Sequence, residues 1–136
     1  KKQKLEEEIP NICTIIRKTV LKYFKSNIAV FPLIINGNMD GVIPGKISEI
    51  LKDISDLEFK VFGTDDIRKI IIANRFNIND IFDETKLSNF GKRFGYQVIM
   101  FGTITKTGKN EKLLIKLLDP DTETVLNIVT YEISSE

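Results

Sequence analysis

Side chains able to do chemistry are scarce in this chain, and they fall where local structure already has a use for them. None of the 136 residues is a histidine, which removes the usual general base, proton shuttle and transition-metal ligand. The acidic groupings are Asp65-Asp66, Asp80-Asp83-Glu84 and Asp119-Asp121. Paired carboxylates can divide acid and base work or hold a hard cation. Asp65, Asp66, Asp83 and Glu84, however, stand where helix starts favour negative charge. Asp119 and Asp121 flank Pro120, where a turn favours acids. No Asp-x-Asp-x-Asp-Gly calcium loop is present. None of the serines, at 26, 48, 55, 88, 134 and 135, sits in a Gly-x-Ser-x-Gly turn. The expectation is a chain without catalytic residues, cofactor or metal.

Three further features need weighing. Gly45-Lys46 is the nearest approach to a phosphate loop, in a segment that runs from a strand into a helix. Asp40 occupies the first glycine position of that motif, and Ile47 replaces its hydroxyl residue. Close backbone approach and a magnesium ligand are both lost, so Asn36 to Lys46 reads as a turn or a surface contact loop. Cys13 is the one cysteine, which excludes an internal disulfide and a cysteine-rich zinc site. Pro10-Asn11-Ile12 is a poor small-residue processing site, and Cys13 falls within a helical apolar pattern, so it reads as a buried small hydrophobe. Arg68, Lys69, Arg75, Lys92 and Arg93 lie on two successive helices. Base stacking beside them would need exposed aromatics, but Phe90 and Phe94 fit the core stripe. A solvated helix face is expected, with no nucleic acid.

The bulk composition agrees. Twenty basic and nineteen acidic residues leave a charge of +1, too small a field to draw the chain to phosphate backbones or anionic lipid. Lys1, Lys2 and Lys4 followed by Glu6, Glu7 and Glu8 read as a solvated, frayed terminus. No run of eighteen apolar residues spans a membrane, and no secretion signal is visible in these residues. Length and a 42% hydrophobic content suit one domain over 1–136 with one real core.

The elements that position these groups follow from period and punctuation. Pro10 to Phe24 predicts a helix, with Ile9, Ile12, Ile16, Val20 and Phe24 as its stripe and Lys18, Lys22 and Lys25 outside or in the last turn. Ile28 to Leu33, apolar on both faces, predicts a central parallel strand that stops pairing at Pro32. The polar loop Asn36 to Gly41 leads to a helix opened by Pro44, with Ile47, Ile50, Leu51 and Ile54 inward. Leu57 to Phe62 alternates as a second strand. Thr64 is expected to cap the next helix, with Ile67, Ile70 and Ile71 as its stripe. Asp83 caps another, with Leu87, Phe90 and Phe94 inward and Gly95 as a left-handed stop. Gln97 to Thr105, Lys112 to Asp119 and Thr124 to Ile133 predict three strands joined by tight turns. The fold class is α/β: one mixed five-stranded sheet, parallel in its first strands and an antiparallel meander at its end, packed by helices and led by one.

That order carries a resemblance. Lys25-Ser26-Asn27-Ile28-Ala29-Val30-Phe31-Pro32 is similar to the opening strand of the FlgO, CsgG and LpoB group of bacterial envelope lipoproteins. Phe59 to Ile67 resembles their second strand and following helix start. Phe90-Gly91-Lys92-Arg93-Phe94-Gly95-Tyr96-Gln97-Val98-Ile99-Met100-Phe101-Gly102-Thr103-Ile104 resembles their Gly-x-x-x-Gly and Tyr-Val-Val-x-Gly-x-Ile signature. Leu117 to Val125 resembles their last hairpin. The departures are Gly63-Thr64, where the group has Arg, Ala73-Asn74, where it often has Glu, and a missing Ala-Asp before the Tyr-Val signature. The long strand insertions with which CsgG-type channels build a barrel are also missing from these residues.

The resemblance implies a TolB amino-terminal or anticodon-binding-like fold. It implies an outer-membrane-associated lipoprotein domain in the periplasm that works by binding envelope proteins or by self-association. The leading helix favours assembly of a surface structure such as the flagellum. Alternatives are activation of a cell-wall synthase, or an intracellular regulatory module of the same fold. Membrane attachment would come only through a lipid anchor outside these residues. The expected contact residues are Asn36, Asn38, Met39, Asp40 and Val42, together with the amino-terminal helix.

Overall fold

A computed structural model describes residues 5–134; Lys1, Lys2 and Lys4 of the expected frayed terminus lie outside them. From Leu5 the chain is folded. Leu5–Glu8 forms a 3-10 turn that buries Leu5 and leads into helix α1, Ile9–Lys22. The remaining elements are β1 (Asn27–Val30), β2 (Leu33–Ile35), β3 (Asn38–Asp40), α2 (Val42–Ile54), β4 (Lys60–Phe62), α3 (Thr64–Ala73), a 3-10 turn at Ile78–Phe82, α4 (Glu84–Phe94), β5 (Ile99–Thr107), β6 (Asn110–Asp119) and β7 (Thr124–Ser134).

All strands join one mixed sheet, as the pattern requires, but seven take part rather than five. β1 lies parallel to β4, with Ile28 opposite Val61, and parallel to β5 on its other side, with Val30 opposite Met100. β6 and β7 extend the sheet antiparallel. The expected strand Ile28 to Leu33 is interrupted at Phe31-Pro32, and the chain resumes as β2, again parallel to β5. Proline has no amide to give to a ladder, so the pairing breaks there and restarts. Asn36 to Gly41 is correspondingly not a plain loop: β2 and β3 pair as a hairpin, with Ile34 opposite Met39.

The sheet separates two cores. Ile28, Val30, Met100, Leu113, Ile115 and Leu117 face α1 and α2, where Ile12, Ile16, Ile47 and Leu51 are fully buried. Each such aliphatic side chain contributes roughly 2 kcal/mol. Ala29, Phe31, Ile99 and Phe101 point the other way, onto Ile67, Ile71, Leu87 and Phe90 of α3 and α4. That face is aromatic: Phe76, Phe31 and Phe94 ring Phe90 with centroids 4.6 to 5.9 Å away. Cys13 lies in the seam between α1 and α2, its thiol 3.6 Å from the Ile47 carbonyl, and burial pushes its pKa up to about 12.

Several terminal residues differ from the periodic pattern. Phe24 completes the α1 stripe by spacing, yet it is 94% exposed. The helix stops at Lys22 in a Schellman motif, in which the Lys25 amide donates to the Val20 carbonyl and the Phe24 amide to Leu21. This throws Phe24 into a left-handed conformation, φ 55°. Lys25 is therefore past the helix rather than in its last turn. Leu57, expected at the head of a strand, is wholly exposed in a left-handed turn before β4. Gly95 stops α4 left-handed at φ 74°, as expected.

Candidate functional site

The expected contact residues are gathered on the β2–β3 hairpin and the start of α2. Asn36 and Gly37 form its two-residue tip with φ of 51° and 79°, both left-handed as a type I′ turn needs. Glycine meets this at no steric cost, and asparagine tolerates it. The root is held by β5, with Ile34 beside Thr103 and Ile35 beside Ile104. Asn36, Asn38 and Val42 face solvent, Val42 at 60% exposure. Met39 is half-buried against the aromatic core, and Asp40 accepts the Ile43 amide at 3.4 Å, at the first turn of α2. Met39 and Asp40 thus anchor the arm, while Asn36, Asn38 and Val42 are its free surface.

Beside the arm lies a groove of about 410 Å³ between the first turns of α2 and α3. Its floor is a buried hydroxyl network. Ser48 Oγ donates to the Pro44 carbonyl at 2.9 Å and accepts the Thr64 amide at 3.1 Å. Thr64 Oγ1 donates to the Val30 carbonyl at 3.0 Å. Two helix starts are thereby pinned to the end of β1. Thr64 was expected to cap α3, but Gly63 occupies that position; the threonine hydroxyl goes to the strand end because α2 supplies a second hydroxyl within reach.

Sequence reasoning missed Ser48, Lys52 and Gly63. The available signal was that both helices begin on a glycine one residue past a strand, Asp40-Gly41 and Phe62-Gly63. Lys46, Lys52, Glu49, Asp65 and Asp66 rim the groove with both signs of charge. The positive ends of two helices meet there, but Asp65 and Asp66 offset them. Lys46 turns away to Glu6 at 2.8 Å, so it does not serve a phosphate loop. No cluster of three metal-ligating side chains occurs among the described residues.

The other singled-out groups are dispersed. Asp83 accepts the Thr85 and Lys86 amides and caps α4, as expected. Glu84 pairs with Lys116 at 3.4 Å and Asp80 with Lys86 at 3.3 Å. Asp119 accepts the Asp121 amide within its turn and the Lys25 ammonium at 2.7 Å. Burial raises its pKa, but the Lys25 hydrogen bond and charge and the turn amides outweigh it and hold the carboxyl below the usual range. Among the basic residues, Arg68 leans back toward Gly41, Arg75 sits in a left-handed turn after α3, and Arg93 lies 5.3 Å over Phe94. Phe90 is buried and Phe94 partly so.

The architecture defines a class, the three-layer α/β domain with a parallel start and an antiparallel meander. No family model and no curated sequence matches the chain. Solved structures do. Lipoprotein GNA1162 from Neisseria meningitidis superposes with a TM-score of 0.58 at 20% identity, over 81% of each chain. The LpoB carboxy-terminal domain from Escherichia coli gives 0.57 at 10% identity, over 90% of this chain and 95% of that one. The same domain from Salmonella enterica gives 0.51 at 11%, over 88% and 95%. At such identities the likeness is one of fold: this chain folds as those lipoprotein domains do.

Proposed function

We propose that this chain is an envelope lipoprotein domain that works by binding protein partners rather than by catalysis, with the β2–β3 arm as its contact surface. The observation that carries this is the arm's construction. Its root is built into the sheet and its tip side chains face solvent, Asn38 held only by a 3.5 Å bond to the Asn36 carbonyl, so recognition groups are presented with little ordering cost on binding. The structural likenesses to LpoB and to a second lipoprotein, each spanning most of the chain, support an envelope setting. They favour activation of a cell-wall synthase over flagellar assembly, since LpoB domains recur among them.

Purified cell-wall synthase from the source organism provides the test. We expect the domain to bind it and raise its rate, and Asn38→Ala with Val42→Ala to weaken binding about tenfold without lowering thermal stability. Binding unchanged in that double variant would remove the arm as the contact. No binding and no stimulation would remove the synthase reading.

A further inference from the structure

β7 is a strand of eleven residues that, among the described residues, is paired on one side only, with β6. Long open edges are normally guarded by lysine, proline or brevity, because their free amides and carbonyls template another strand. β7 has neither lysine nor proline, and Glu132 is its only charge. Its neighbour β6 carries Lys112 and Lys116. One face of β7 is core: Val129 and Ile133 are buried beneath the helical layer. On the other face Ile128 is 52% exposed, and Thr130 and Glu132 are exposed too. The Ile128 amide donates to the Asn127 carboxamide at 2.9 Å, a bond that suits an edge amide with no strand beside it.

We infer that β7 pairs antiparallel with β7 of a second copy, making one continuous sheet across a two-fold axis at Val129. The strand is its own complement in that register. Ile128 meets the second copy's Thr130 on the open face. Asn127, whose carboxamide already donates to Thr19 Oγ1 at 3.1 Å, meets Tyr131 on the helix side. Glu132 falls opposite Leu126, the residue left unpaired by the bulge at Leu117/Leu118, and so stays away from its own image. An isologous contact of this kind closes at two subunits, because the pairing uses up the edge.

Sedimentation velocity over a range of concentrations tests this on the chain as it stands. The expected result is a concentration-dependent dimer. Ile128→Lys, at an exposed position, should raise the dissociation constant at least tenfold while leaving the thermal melt of the monomer in place. If that variant is poorly folded, Thr130→Lys on the same face makes the same test. Thr130→Cys should cross-link through a short bismaleimide, and Asp121→Cys, far from the axis, should not. A monomer at every concentration, or a dimer that both lysine variants leave intact and Thr130→Cys does not cross-link, overturns the proposal.

Discussion

The two sides of the sheet end differently. On one side the terminal strands are β3 and β4, three residues each; Asn38 and Asp40 mark the first, and Lys60 the second. On the other side β7 runs for eleven residues with a single charge. The short edges stop because helices and a turn take over at once, and that is where the groove and the β2–β3 arm are built. Among the described residues, nothing pairs with the outer side of the long edge. Diversity of side chains belongs to the first side, and repetition of backbone valence to the second. The first suits a partner with its own shape; the second suits the proposed pairing with its own copy.

The strand that both sides share, β5, is the most sensitive to substitution. A β-carbon on Gly102 would stand 1.9 Å from the Leu114 carbonyl oxygen, so Gly102→Ala must push β5 and β6 apart. We expect a loss of about 3–4 kcal/mol, read by chemical denaturation, with both edges affected together.

Asp119→Ala comes next. The pair Lys25–Asp119 ties the entry to β1 to the turn before β7, with the carboxylate only 7% exposed. Removing one partner strands the other, at about 2–3 kcal/mol. Because the folded carboxyl titrates below its unfolded value, the pair stabilises above the unfolded value and its contribution is lost as pH falls through the folded one. Wild type should therefore lose stability below about pH 4, and Asp119→Asn should flatten part of that decline.

Gly37→Ala sharpens the contrast with the smallest effect. The space around it is open, and only its φ of 79° resists. We expect about 1 kcal/mol, with weaker partner binding through the arm and no change in self-association through β7.

Much of this fold was legible in the residues. The α2, α3 and α4 stripes, the Asp83 cap, the Gly95 stop and the final meander all follow from period and punctuation. The motifs behind the family resemblance also turn out to be structural. Lys25 and Asp119, from its first and last segments, form one ion pair, and Gly102 permits one close strand contact. What stayed hidden was short or non-local. β2 and β3 are three residues each, too short for alternation to register, although Asn36-Gly37 is itself a strong hairpin signal. Phe24 and Leu57 looked inward by spacing, but helix stops and left-handed turns end the periodicity before it reaches them. The Ser48–Thr64 floor of the groove joins residues from separate helices, and no local pattern reports such a meeting.

The seat of Cys13 has a practical consequence. A thiol held this dry carries almost no thiolate at any pH the protein would meet, and thiolate is what oxidants, alkylating agents and soft metals attack. The domain could therefore pass through an oxidising compartment without mispairing, and any cysteine placed on its surface would be the one handle that chemistry finds.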